Sequence, residues 1–417
     1  MRIGYACQAI AVPGSKMNSC QLKNASPERL LALAENNLQA LDTLISYNIK
    51  NSIRLFRISS DLIPFGSSVA ANICWEKIFS DQLVSIGQRI LNSGMRVSMH
   101  PGQYTVLNSP DETVVTRAVE DLYYHAKVLD SMNLGNEHKI ILHLGGVYGN
   151  KKQAIKRFIS HYNALSSAVK RRLVIENDDR MYTIKDALEV SSAIGIPVVF
   201  DNLHNTINPS DQNISDNDLI KLCSQTWGED DGPQKIHYSQ QHPEKNPGAH
   251  SQSIRISPFL AFYRTLSDQN IDIMLEVKDK NLSALKCVNC TSKIGIFVLE
   301  NEWAHYKYCI LERSPVYYQK IRLLLNNKNS YPALEMYQMI EASFDLPITS
   351  GNGINAAQHV WGYFKKIASE AEAIRFSVLQ KNFYKDEIKI AVIKRFLFRL
   401  AVKYQINYLL DGYYFYL

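Results

Sequence analysis

The sequence predicts a (β/α)8 TIM barrel followed by a smaller all-helical domain. Three observations lead there. Eight short apolar or β-branched runs alternate with stretches of helical spacing up to about Lys286, the pattern of a barrel built from βα units. Residues able to bind metal fall repeatedly at the C-terminal ends of those runs, where barrel enzymes keep their chemistry. Beyond Lys286 the alternation stops, and segments rich in Tyr, Phe, Leu and Lys read as helices. An open, doubly wound sheet would share the alternation, because periodicity does not report closure.

The predicted strands are Ile3–Cys7, Ile53–Ser59, Arg96–Met99, Lys139–Leu144, Leu173–Glu176, Pro197–Asp201, Lys235–Tyr238 and Ile271–Glu276. The first helix has the plainest signals. Ser26 caps it, Pro27 suits its first position and Glu28 complements its positive end. Leu30, Ala34, Leu38, Leu41 and Ile45 then share one face, as an amphipathic helix on a sheet requires. Asp111-Glu112 opens a second helix toward Leu134-Gly135, and Gly195 ends another as a C-cap glycine. The helical stretches of the C-terminal part include Glu302–Leu311, Ala333–Ala342, Ala356–Ile367 and Ile388–Tyr404. The change of character near Cys290–Ile294 sets the expected domains as 1–290, the barrel, and 291–417, a helical domain of unassigned role.

Composition narrows the class. With 46% apolar and 21% charged residues in a chain of 417, the protein is an ordinary globular one, long enough for a barrel and an addition. A net charge of +6 permits a polyanionic partner without requiring one. Seven scattered cysteines argue against a disulfide framework and for a reducing compartment. The start, MRIGYACQAI, lacks the features of a signal peptide, and no apolar run is long enough to span a bilayer. A cytoplasmic protein with no membrane partner is expected.

The candidate site follows from the strand ends. His100 follows the third strand in RVSMHPGQYTVLNSP (Arg96–Pro110), where Pro101-Gly102 breaks the strand. His143 lies in the fourth, Glu176 ends the fifth, Asp201 ends the sixth with His204 one turn later, and Glu276 ends the eighth. Lys235 and His237 are two apart in the seventh, so both point to one face, and His250 follows in a loop. One such residue is ordinarily a solvated loop residue. Six of eight strands ending in or beside a ligand type is not, and His125 and His161, inside helical stretches, show what background histidines look like. Mixed imidazole and carboxylate donors suit Mn, Zn or Fe better than Ca or Mg alone. Eight donors exceed what one ion needs, so a cluster of two or three divalent ions is expected, of the kind that clamps both oxygens of a phosphoester.

These stretches also carry a resemblance. GYAC (Gly4–Cys7), RISSDLIPFGS (Arg57–Ser67), MHPGQYTVLNSP (Met99–Pro110), LHLGG (Leu142–Gly146) and IENDD (Ile175–Asp179) resemble the UV damage endonucleases, repair enzymes related to the apurinic-site nuclease endonuclease four. FDNLH (Phe200–His204), KIHYS (Lys235–Ser239), GAHS (Gly248–Ser251) and LEVKDK (Leu275–Lys280) complete the likeness across the barrel. The resemblance implies a DNA repair endonuclease that nicks immediately 5′ of pyrimidine dimers and 6-4 products by attack of metal-activated hydroxide, leaving a 3′-hydroxyl and a 5′-phosphate. It implies a metal cluster, manganese preferred with zinc, magnesium or cobalt as alternatives, on His100, His143, Glu176, Asp201, His204, Lys235, His237, His250 and Glu276. Of these, Lys235, Glu276 and His143 are the expected catalytic groups. In the family the lysine matching Lys235 can be carboxylated, becoming an anionic ligand; otherwise it is a plain ammonium binding a phosphate or carboxylate.

Gln103 and Tyr104 match the family pair that probes the lesion, and Tyr5 is expected near the same mouth, stacking on it. An extruded two-base lesion leaves a gap that an amide and a ring can fill. Where the pattern has Asn two positions after the cysteine, this chain has Ala9, so that contact is missing. Arg57, Asp61, Asn108, Lys278 and Lys280 also fall in matching stretches; Lys278 would reach a phosphate or pair with a carboxylate. The lone pair Cys287/Cys290 lacks the second pair of a zinc site. HVWGYFK (His359–Lys365) and YLLDGYYF (Tyr408–Phe415) resemble a helical domain appended to some bacterial members. The expected partner is double-stranded DNA with UV lesions, bound by a monomer. The rivals are an apurinic-site nuclease, a metal-dependent sugar isomerase and a non-catalytic binding protein.

Overall fold

The computed structural model describes residues 1–266 and 270–417. Its strands are β1 (Ile3–Ala6), β2 (Leu55–Ile58), β3 (Arg96–Met99), β4 (Lys139–His143), β5 (Leu173–Glu176), β6 (Val198–Asp201), β7 (Lys235–Tyr238) and β8 (Asp272–Leu275). They pair in parallel, in chain order, and β8 returns to β1, so the sheet is a closed barrel rather than an open one. Each predicted strand is present, β3, β5 and β7 with the predicted limits and the rest trimmed by one or two residues at one or both ends. At Gly4 a Cβ would lie 1.8 Å from the Leu55 carbonyl oxygen, so only glycine allows β1 to pass β2 there.

Alternation along each strand fills the bore in layers. Register pairs Arg57 with Ser98, His143 with Glu176, Asp201 with His237 and Lys235 with Asp272. Ile141, Val174 and Val199 pack together as a dry middle. Beneath them, at the strand N-termini, lies a floor of paired charge. Arg96 donates to Asp272 at 2.9 Å and to the carbonyls of Glu137 and Asp231 at 2.6 and 2.7 Å. Lys139 donates to Asp231 and, at 2.8 Å, to the Arg171 carbonyl. Glu137 lies 3.1 Å from His138 Nε2.

The helix Pro27–Lys50 starts as its sequence dictates, with the Ser26 hydroxyl accepting from the Arg29 amide at 3.3 Å. Its buried face contains Leu30, Ala34, Leu38, Leu41 and Ile45. Gly195 closes the helix Ile184–Ile194 at φ +71°, a left-handed position that suits glycine.

The chain forms two compact units. The first comprises Met1–Ala9, Gly14–Ile254 and Ala261–Leu285; the second comprises Ile10–Pro13, Arg255–Leu260 and Lys286–Leu417. The principal helices of the second unit are Ile296–Leu311, Pro315–Leu324, Ala333–Phe344, Ser350–Trp361, Glu370–Tyr384 and Ile390–Lys403. Its core is aromatic, with two buried acids. Glu302 accepts from the hydroxyls of Tyr413 and Tyr337 at 2.5 and 3.3 Å. Glu312 accepts from Lys394 and Arg313 at 2.7 and 2.6 Å. Neither Cys287 nor Cys290 is in a disulfide, and burial pushes Cys290 up to about 12, far from the thiolate that metal or redox chemistry needs. Among the described residues no helix is long and apolar enough to cross a membrane.

Candidate metal centre

Six neighbouring strands deliver one side chain each to the C-terminal rim. His100 follows Met99 of β3, His143 ends β4, Glu176 ends β5, Asp201 ends β6, His237 sits third in β7, and Glu276 follows β8. Asp201 also caps the short helix Asn202–Ile207, accepting from the His204 amide at 2.9 Å, and so sets the direction of the turn that carries His204.

Glu176 is the hub. One carboxylate oxygen lies 3.0 Å from His100 Nε2 and 2.9 Å from His143 Nε2; the other lies 2.5 Å from His237 Nδ1. His237 Nδ1 is also 3.5 Å from Glu276 and 3.9 Å from Asp201. The His143 and His204 rings are 6.0 Å apart, and His250 Nε2 is 3.9 Å from Glu276. Two groups of donors are each compact enough to hold an ion, His100/His143/Glu176 and Glu176/Asp201/His237. They share Glu176.

The protonation states reflect crowding. Burial alone would raise the Glu176 carboxyl, but the neighbouring His237, His143 and His100 bring it well below the usual range. Asp201 goes the other way, to about 6, because burial and the charges of Glu276 and Glu176 outweigh the attraction of His204 and His237. Burial would lower His204, yet Asp201 and Glu176 raise it to about 9. Burial dominates at His100 and His250 and lowers both.

Whether these residues fit a divalent cluster is decided by what they leave unpaired. Asp201 Oδ2 is buried and accepts no hydrogen bond, and His143 Nδ1 is likewise buried without a partner. An unpaired buried polar atom costs about 1–3 kcal/mol, and here several converge. Cations shared between carboxylates and imidazoles would satisfy them, and the donor set is of the right chemical type. Lys235, expected among the rim ligands, opens β7 two residues below His237 and on the same face, level with Asp272 of the floor, and its amine is buried without a hydrogen-bond partner. Burial, followed by the nearby Arg96, Arg57 and Lys139, holds its amine well below its ordinary value.

Sequence reasoning placed no role on three residues that brace this rim. Arg57 is buried and donates to Glu276 at 2.6 Å, with the same nitrogen 2.9 Å from His237 Nε2. Asn177 exchanges hydrogen bonds with the Asp201 backbone at 2.9 and 3.1 Å, and its carbonyl lies 2.8 Å from His204 Nδ1. His125, read as background, has Nε2 at 2.8 Å from the Ser60 hydroxyl, which donates to the His100 carbonyl at 3.0 Å. The IENDD stretch contained the signal for Asn177. Nothing local in the sequence linked Arg57 to Glu276.

The loop after β3 borders a cleft of about 510 Å³ whose walls include Gln103, His143, Gly145, Tyr148 and Arg180. Asn108 stitches that loop to the one after β4, donating to the Gly146 carbonyl at 2.7 Å. Gly145, at φ +97°, leaves space there, since a Cβ would sit 2.4 Å from Asn108 Oδ1. Gln103 and Tyr104 are exposed at the lip, Tyr104 by 79%. Lys278 is exposed and, among the described residues, makes no ion pair.

Tyr5 is a correction. The expected stacking residue at the mouth is wholly buried, its hydroxyl donating to Asn48 Oδ1 at 2.9 Å and its ring edge-on to Phe56. Tyr5 and Phe56 are in register, and Asn48 belongs to the helix Pro27–Lys50. Strand parity turns Tyr5 to the outer wall of the barrel, so it supports the first helix and cannot stack on a ligand at the rim.

The family model described as UV-endonuclease UvdE matches residues 1–298. The chain belongs to that family. Among its relatives are the UV DNA damage endonucleases of Clostridium perfringens (strain 13 / Type A), 42% identical over 82% of each chain, and of Bacillus cereus (strain G9842), 31% identical over 70% of this chain and 95% of the relative. The crystal structure of SacUVDE aligns with a TM-score of 0.66 and 40% identity over 70% of this chain and 97% of that one. A second model, described as a protein of unknown function (DUF1722), matches residues 307–417. In this UvdE-family chain, then, the shared region contains the whole candidate metal centre, and the tail brings a region without an assigned role.

Proposed function

We propose that this chain is a metal-dependent DNA endonuclease that nicks the phosphodiester immediately 5′ of UV photoproducts, leaving a 3′-hydroxyl and a 5′-phosphate. The observation that carries the reading is the convergence of Glu176, His100, His143, His237 and Asp201 on one rim, with buried donor atoms left unpaired. Family membership supports the same chemistry.

His100, His143 and Glu176 would hold one ion, Glu176, Asp201 and His237 a second, with His204, His250 and Glu276 around them; two or three ions, manganese first, are proposed. Such a cluster neutralises the phosphate and lowers the pKa of water. The protein's part is preorganisation. Arg57 fixes Glu276, Asn177 fixes Asp201 and His204, and the His125–Ser60 relay fixes His100. Lys235 offers a buried, unpaired amine held toward its neutral form. That form can add carbon dioxide through its lone pair and release one N–H proton to solvent, giving an anionic carbamate ligand, which is how we propose it joins the site. Gln103 and Tyr104, at the lip of the cleft, are placed to fill the gap beside an extruded two-base lesion.

The test is nicking of duplexes containing one photoproduct, one abasic site or no lesion, by wild type and His143→Ala with metal content measured. Cleavage at the photoproduct in manganese, lost in the variant together with metal, is expected. Preference for the abasic duplex would assign the site to apurinic-site cleavage, and equal rates for the two proteins would remove His143 from the site.

A further inference from the structure

We propose that the helical unit has its own DNA-backbone surface, centred on Lys307 and Arg322 and extended by Lys365 and Lys366. This deepens the endonuclease reading and rests on it for the choice of DNA as partner.

Charge points there first. Residues 286–417 contain 17 Lys and Arg against 11 Asp and Glu, a net +6; residues 1–285 contain 29 against 29, a net of zero. All the excess positive charge of the chain therefore belongs to the region with no assigned role. A polyanion would feel this part most strongly.

Local geometry then selects a surface. The Lys307 ammonium lies between two rings, 4.7 Å from the centroid of Tyr308 and 4.9 Å from that of Tyr408. The Tyr408 ring stacks on Tyr363 at 5.8 Å and 20°, and the hydroxyls of Tyr363 and Tyr308 are 3.0 Å apart. The Tyr318 phenol is near enough to help raise that of Tyr308, and the Arg322 guanidinium lies 5.7 Å over the Tyr318 ring. Tyr408 and Tyr363 remain 42% and 38% exposed, and Lys365 and Lys366 are exposed two and three residues beyond Tyr363.

What separates this cluster from a solvated lysine face is its lack of counter-charge. Elsewhere in the unit Lys394, Lys403 and Lys328 are tied to Glu312, Glu372 and Glu300. Among the described residues Lys307, Arg322, Lys365 and Lys366 make no ion pair. Aromatic rings fix the position of Lys307 and Arg322 without neutralising them, which is what a phosphate-binding cation needs. Cations interleaved with exposed rings are the pattern of backbone-tracking nucleic-acid surfaces. Such contacts are indifferent to sequence and to lesions.

The experiment uses the full chain and a lesion-free duplex of defined length. Binding is measured against salt for wild type, for Lys307→Glu/Arg322→Glu/Lys365→Glu, and for Tyr363→Ala/Tyr408→Ala, which frees Lys307 without changing charge. The charge-reversed protein should lose at least tenfold in affinity, with the slope of log K on log salt reduced by about 2–3. The aromatic variant should lose severalfold. Nicking of a lesion duplex at saturation should be unchanged in both, and thermal melting reports whether they remain folded. Glu176→Gln should keep the wild-type salt slope while losing nicking, so failure of the endonuclease reading would appear as a different result from failure of this one. An unchanged slope in the charge-reversed protein would overturn the proposal. So would equally tight binding of polyglutamate, which would indicate an acidic protein partner.

Discussion

The two ends of the barrel bore both bury charged groups and treat them oppositely. At the floor, Arg96, Lys139 and Asp272 are each met by a partner or a carbonyl, as in Arg96–Asp272 at 2.9 Å. At the rim, acids and imidazoles press against one another, and Asp201 Oδ2 and His143 Nδ1 find nothing. A satisfied buried charge serves the fold, and its loss leaves the partner stranded. The same division, stability at the strand N-termini and chemistry at the C-termini, is general for this fold.

The sharpest way to break the comparison is to remove one residue from each end. Glu176→Gln should lower nicking by more than about a thousandfold, because Glu176 is shared by both proposed ion sites. Because the surrounding imidazoles hold that carboxylate ionised, the change should also lower stability without metal, by less than the loss at the floor; single-turnover kinetics and urea unfolding separate the two effects. Asp272→Ala should show the opposite balance. It strands the buried Arg96 and should cost about 3–5 kcal/mol in unfolding free energy, while the folded fraction still nicks at the wild-type rate.

Two smaller effects sharpen the picture. Tyr104→Ala should reduce the preference for lesion over intact duplex by roughly tenfold, the value of one stacking contact. Being exposed, it should leave melting unchanged; competition binding measures the ratio. At the floor, the hydrogen bond from His138 is the main reason the Glu137 carboxyl sits at about 2. An acid depressed in the folded state contributes stability above its unfolded value near 4.5, and that contribution disappears as pH falls from there toward 2. Glu137→Gln should therefore flatten the acid limb of stability between those values, modestly because the group is 40% exposed. Urea midpoints across that range would show it.

Much of this contrast was readable in the sequence, and the exceptions are physical. His100, His143, Glu176, Asp201 and Glu276 stood out because strand ends are visible as runs and the fold fixes which end is chemical. Tyr5 was misplaced because nearness to a strand end was given more weight than parity, which sends it outward with Phe56. The braces were invisible for a different reason. Arg57 and Glu276 are 219 residues apart, and Arg96 and Asp272 are 176 apart. No local pattern encodes such pairs; only closure of the barrel brings them together. His125 looked like background because a buried helical histidine usually is, and its reach to Ser60 depends on how two elements pack.

The most direct test of the rim is to locate manganese in crystals by anomalous scattering. The account predicts two or more peaks within ligating distance of Glu176, with His100, His143, His237 and Asp201 completing their shells, and no such peak in Glu176→Gln crystals. Manganese bound elsewhere, or bound at this rim just as well without the Glu176 carboxylate, would contradict it.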